Sequence, residues 1–239
     1  MKKFEVETPA PAGGEDGPLS RRGDLDLIIG LVPYGAKVLD LGCGDGLLLE
    51  RLRREKGTDG RGVERDSRAV IACMRRGIPV IQGDLDEGLA DFPDKSFDVV
   101  VISHTLQQVN QPRALLLEAG RVGRQVIVGF PNFGYWRIRL SLLFQGRMPK
   151  STILPYEWYD TPNIHLLTLT DFEIFCRQEG FGICRRLGLR HPSWKSVSLL
   201  PGVRAAYALY LLDAAAVHAP RPATEPASAD SEPIQVVEE

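Results

Sequence analysis

The sequence predicts an α/β protein built on a doubly wound, mostly parallel sheet of seven strands. Three observations carry that expectation. Apolar runs of strand length alternate with segments of helix length between residues 37 and 132, the rhythm of strand, crossover helix and parallel strand. Runs such as "FDVVVISHT" are continuous and β-branched rather than alternating, as strands covered on both faces require. Between the first strand and the first helix, "GCGDG" bares the backbone at Gly42, Gly44 and Gly46. Glycines packed so closely would destabilise either regular element, so they mark a tight turn that something approaches closely. A glycine turn at that place in an open sheet is a Rossmann-like feature.

Each element follows from local signals. "KVLDLG" (37–42) reads as the first strand, and "LLLERLRREKG" (47–57) as a helix closed by Gly57. "GRGVER" (60–65) is the second strand; "SRAVIACMRRG" (67–77) is a helix with Ser67 as its N-cap and Gly77 past its end. "PVIQGD" (79–84) and "FDVVVISHT" (97–105) are strands, "PRALLLEAGRVG" (112–123) is a helix opened by Pro112, and "QVIVGFPN" (125–132) is a strand. The rhythm then breaks. Residues 132–168 hold Tyr135, Trp136, Tyr156, Trp158 and Tyr159 and exceed any standard connection, so they read as an insertion capping the carboxyl edge of the sheet. "DFEIFCRQEG" (171–180) is a helix, and "FGICRRLGLR" (181–190) and "AAYALYLLD" (205–213) are expected to form an antiparallel edge hairpin. Inside the insertion, Trp136, Leu140, Leu143 and Phe144 share one helical stripe. That stripe fits a lid packed on its own domain, a surface for a partner, or a helix lying on a membrane.

Composition narrows the function classes. A formal net charge of -2 and a pI near 6.1 lack the cationic surplus that holding nucleic acid requires. Residues 1–20 and 214–239 are rich in Pro, Ala, Ser and acids and are expected to be disordered, which leaves one domain over residues 21–213. No apolar run approaches the ~18 residues of a membrane span, and the N-terminus lacks the apolar stretch of a secretory signal. Cys43, Cys73, Cys176 and Cys184 are scattered without metal-ligand spacing, so they read as reduced thiols and no metal site is expected. A cytoplasmic protein is the expectation.

A bare turn at a helix N-terminus suits a nucleotide. A dinucleotide fingerprint would need glycine where Leu47 stands, and no Gly-Lys-Ser or Gly-Lys-Thr follows for a phosphate loop. What remains, Asp40-x-Gly42-x-Gly44-x-Gly46, resembles the first motif of the class I S-adenosylmethionine-dependent methyltransferases. The resemblance implies S-adenosylmethionine, or S-adenosylhomocysteine, as cofactor. Asp40 would then lie near the cofactor ammonium, with Gly42, Cys43, Gly44 and Gly46 forming the turn. Glu64 would accept from the ribose hydroxyls, and Arg65 would stand where the class often has an apolar side chain against the adenine. Gly83, Asp84 and Leu85 would read the adenine edge, and Ser103 and His104 would flank the methionine end. His165 and Tyr135 can reach the same cleft from the insertion, but no catalytic residue is assigned.

"FPNFGYWRIRLSLLFQGRMP" and "LPYEWYDTPNIHLLTLTDFEIFC", together with "VLDLGCGDG", "VIQGDLDEGLADFPD" and "TLQ", closely resemble the methionine biosynthesis protein MetW family from residue 24 to about residue 190. Where that family often has Gln and His, this chain has His104 and Tyr135. The resemblance implies a methyltransferase-fold protein of methionine biosynthesis that acts as partner or activator of homoserine O-acyltransferase. An active S-adenosylmethionine-dependent small-molecule methyltransferase is the alternative, and a redox protein the third reading.

Overall fold

The computed structural model describes residues 23–150 and 154–217. Of the ends expected to be disordered, residues 1–20 and 218–239 lie outside the described residues. Ala214 is fully buried and donates its N–H to the Arg124 carbonyl. Its own carbonyl, with those of Gly120 and Gly123, accepts from the Lys95 ammonium at 2.6–3.0 Å.

The strands are β1 (Lys37–Leu41), β2 (Asp59–Glu64), β3 (Val80–Gln82), β4 (Phe97–Ser103), β5 (Gly123–Pro131), β6 (Gly182–Arg190), β7 (Lys195–Ser196) and β8 (Tyr207–Asp213). They form one sheet in the order β3-β2-β1-β4-β5-β8-β6-β7. The first five pair in parallel; β8 runs antiparallel between β5 and β6, and β7 adds two residues at the edge to the seven strands expected. Val99 and Val101 of β4 enter the core on one face of the sheet, and Val100 and Ile102 enter the core on the other. Double coverage is why these strands read as unbroken apolar runs.

One face is covered by α1 (Asp24–Leu31), α2 (Leu47–Lys56) and α3 (Ser67–Arg75), the other by α4 (Pro112–Val122) and α6 (Leu169–Glu179). Gly57 closes α2 in the left-handed conformation, as its sequence position predicts. The cap of α3 is not Ser67 but Asp66: the Asp66 carboxylate accepts from the Arg68 and Ala69 N–H groups while Ser67 is already helical. α6 starts two residues earlier than expected, because Thr168 and Asp171 form a reciprocal capping box. α1, which the sequence does not single out, buries Leu25, Ile28 and Ile29.

Within the insertion, α5 (Trp136–Gln145) docks through Ile138 and not through its predicted stripe. Trp136 and Leu140 are 41% exposed, Leu143 73% and Phe144 76%, which corrects the reading of that stripe as the packed face of a lid. Among the described residues, no helix is long and apolar enough to cross a membrane.

Candidate functional site

The carboxyl ends of β1, β2, β3 and β4 bring most of the sequence-predicted residues to one edge of the sheet. The turn after β1 holds Gly42, Gly44 and Gly46 at φ of 78°, 56° and 78°, a region that side chains rarely adopt. The N–H groups of Gly42 and Cys43 both donate to the Val63 carbonyl, at 2.8 and 3.2 Å, and so dock the turn on β2. A Cβ at Gly42 would lie 2.4 Å from Thr105 Oγ1, and one at Gly46 would lie 2.9 Å from Cys73 Sγ. A Cβ at Gly44 would meet nothing within 4 Å among the described residues, although its N–H is bonded to Glu64 and its carbonyl to Cys73. The outer glycines are demanded by packing, whereas the middle one leaves open space beside the turn.

Cys43 turns inward, with its sulfur 3.7 Å from Cys73 Sγ. Burial, helped by the negative charge of Asp40, pushes its thiol well above the ordinary range, so it stays protonated and packs rather than reacts. Asp40, at the end of β1, is also buried.

Glu64 lies directly against the turn. Its Oε2 accepts from the Gly44 N–H at 2.9 Å, and its Oε1 accepts from the Arg65 and Asp66 N–H groups at 2.8 and 2.9 Å. Three donors occupy most of a carboxylate's roughly four acceptor positions and leave one side of Oε2 for a ligand. Across the mouth, Arg65 Nη1 stands 3.6 Å from Asp84 Oδ2. Asp84 Oδ1 accepts from the Asp86 N–H and caps a 3-10 turn over Leu85–Glu87. Gly83 donates to the Glu64 carbonyl at 3.1 Å, lacing the two strand ends together.

Asp86 anchors this rim to the start of α4, accepting from the Asn110 and Gln111 main-chain N–H groups and the Asn110 amide at 2.7–3.0 Å. Burial alone would raise its carboxyl, but those donors and the nearby Arg65 charge outweigh it and hold the pKa low. A carboxyl with a depressed folded pKa contributes stability above its unfolded value near 3.8 and loses it as pH falls through the folded value. Asp86→Ala is therefore expected to lower Tm at pH 7, with the gap to the wild type closing below that value in a pH series of thermal melts.

After β4 the chain enters a second polar cluster. His104 has a left-handed backbone at φ 60°, held by Gln107 and Gln108, whose amides both donate to its carbonyl at 2.9 and 2.8 Å. Its ring stacks on Tyr207 at 4.6 Å, and its Nε2 lies 3.4 Å from Asp24 Oδ2. Ser103 donates to the same Asp24 oxygen at 3.3 Å, and its hydroxyl is 3.3 Å from that of Tyr207. Asp24 is fully buried at the first turn of α1. Sequence reasoning missed it, because an acid at the head of "DLDLII" looks like an ordinary helix start. An Asp–His pair of this kind can hold a proton beside a reacting group.

His165 does not join that pair. Its main-chain N–H donates to the Gln107 carbonyl, and its buried Nε2 and the buried Gln107 Oε1 have no hydrogen-bond partner among the described residues. Tyr135 lies past the end of β5, at the N-cap of α5, where it lines a separate cavity of about 310 Å³ with Arg137 and His191. No group of three or more His, Cys, Asp or Glu among the described residues is placed to hold a metal ion. The carboxylates of Glu64 and Asp84 at neighbouring strand ends would repel a phosphate placed between them.

A family model described as methionine biosynthesis protein MetW matches residues 22–212. A bifunctional methionine biosynthesis protein MetXA/MetW of Rhodopirellula baltica is 40% identical over 157 residues, which cover 62% of this chain and 25% of that one. A ubiquinone biosynthesis O-methyltransferase of Photorhabdus laumondii is 32% identical over 89 residues, 35% of this chain and 36% of that one. The chain thus spans a quarter to about a third of the length of these curated relatives. A SAM dependent methyltransferase of Archaeoglobus fulgidus superimposes with a TM-score of 0.63 at 16% identity, over 82% of this chain and 94% of that one, a likeness of fold.

Proposed function

The chain belongs to the MetW family of methionine biosynthesis and has the methyltransferase fold, and from that premise we propose that it binds S-adenosylmethionine and acts as partner and activator of homoserine O-acyltransferase. For the cofactor, the observation that carries the reading is the open face of Gly44 beside Glu64. Asp40 would serve the ammonium and Glu64 the ribose hydroxyls, while Arg65 would lie over the adenine and Gly83, Asp84 and Leu85 would read its edge. Ser103 and His104 would flank the methionine end. S-adenosylhomocysteine would use the same contacts. When bound, S-adenosylmethionine supplies an activated methyl group.

For the partner, the supporting observation is the Rhodopirellula baltica relative, whose name joins a MetXA to a MetW. Fusion keeps two modules at high effective concentration, which is useful when they act in contact. Co-expression of this chain with the homoserine O-acyltransferase is expected to yield a complex that survives gel filtration and transfers acyl groups faster than the enzyme alone. Failure to associate, with methylated product formed from a metabolite extract, would instead favour an active small-molecule methyltransferase. The Asp24–His104 pair is the observation that keeps this second reading in play.

A further inference from the structure

We propose that the 310 Å³ cavity beside the carboxyl end of β5 is a binding site for a small amphipathic carboxylate, with Arg137 as its ion-pairing group. None of the residues assigned to the cofactor lines it, so the inference goes beyond the cofactor reading and does not depend on it. Its volume lies at the lower end of the ~300–1,000 Å³ range of small-molecule pockets. Among the described residues, the charged side chains that line it are Arg137 and Lys150, both cations, and no Asp or Glu does.

The two cations are not equivalent. Lys150 is engaged by Glu157 at 2.5 Å, which lies outside the lining. Arg137 flanks the Trp136 ring at 5.4 Å, and no carboxylate among the described residues is within ion-pair distance of it. A planar guanidinium without an acid partner matches a carboxylate through two parallel hydrogen bonds. Tyr135 and His191 add polar groups to the wall. Burial lowers the His191 pKa, so its ring does not add a third positive charge near pH 7. Ile138 and Leu154 supply apolar surface for the body of the ligand. A run of ring contacts joins the cavity wall to the Asp24–His104 cluster: His191 packs on Trp194, Trp194 on Tyr207 and Tyr207 on His104, with ring centroids 5.5, 5.4 and 4.6 Å apart.

Protein-observed NMR titration of the full chain with hexanoate and 3-phenylpropionate, each beside its uncharged amide, tests the site. The acids are expected to shift the signals of Ile138, Ser141 and Ala206 and to bind about tenfold or more tightly than the amides. Arg137→Gln should remove that preference and leave amide binding unchanged, which also reports an intact fold. Ser141→Trp, which fills the cavity, should abolish both. Equal affinity for acid and amide, acid binding unaltered in Arg137→Gln, or no shift from any probe at about 10 mM would each overturn the proposal. S-adenosylmethionine titrated into the same samples reports the cofactor reading separately.

Discussion

Glu64→Ala is expected to weaken S-adenosylmethionine binding by about tenfold to a hundredfold, measured by calorimetric titration. A hydrogen bond to an ionised acceptor is worth about 1.5–3 kcal/mol, so losing the ribose contact at the free side of Oε2 costs roughly one to two powers of ten in affinity. A second effect adds to it. The same carboxylate holds the Gly44, Arg65 and Asp66 N–H groups, so its removal frees the turn that must receive the cofactor and sacrifices pre-organisation. Glu64→Gln keeps one of the two acceptor oxygens, so it can satisfy either the Gly44 N–H or the Arg65 and Asp66 N–H groups but not both, and an affinity between those of the wild type and the alanine variant is expected. An affinity for the alanine variant close to that of the wild type would show that Glu64 serves only the protein's own backbone.

Gly129→Ala is expected to destabilise the sheet strongly. Its Cβ would lie 2.3 Å from the Tyr207 hydroxyl and 3.1 Å from the ring carbon bearing it. Tyr207 is fully buried and hemmed in by His104 and Trp194, so it has little room to give way. Overpacking of this kind costs about 1–3 kcal/mol and occasionally more. At about 2–4 °C per kcal/mol for a chain of this size, a Tm fall of roughly 6–12 °C is expected for a cost of about 3 kcal/mol. Adding Tyr207→Phe removes the offending oxygen and should restore part of the loss. Simple additivity of the two variants in thermal melts would contradict the steric account.

Most of the fold was legible because its signals are local. The leucines of α2 end at a left-handed Gly57, and the β4 valines are continuous because the sheet is covered on both faces. The placement of Asp40, Glu64 and Asp84 at one edge was equally accessible, since parallel strands put their carboxyl ends on the same side. Ser67 and Asp66 illustrate where local reading fails: both carry a capping oxygen, and the extended backbone of Asp66, at ψ 119°, decides between them. α1 was missed because eight residues carry too little periodicity, and its Leu25, Ile28 and Ile29 derive their value from tertiary burial. Asp24 looks like an ordinary acid at a helix start until Ser103, 79 residues away, closes over it. For α5 the stripe was correctly located on one side of the helix, but periodicity does not say which side faces inward, and Ile138 takes that place.

The position of β8 between β5 and β6 dictates when the sheet can be finished. Synthesis delivers residues 207–213 last of the strands among the described residues, yet they fill an interior slot, not a margin. A nascent chain that has emerged only as far as β6 therefore displays two unsealed strand borders and lacks the tyrosines that plug its core, so closure must wait until residues 207–213 have left the ribosome.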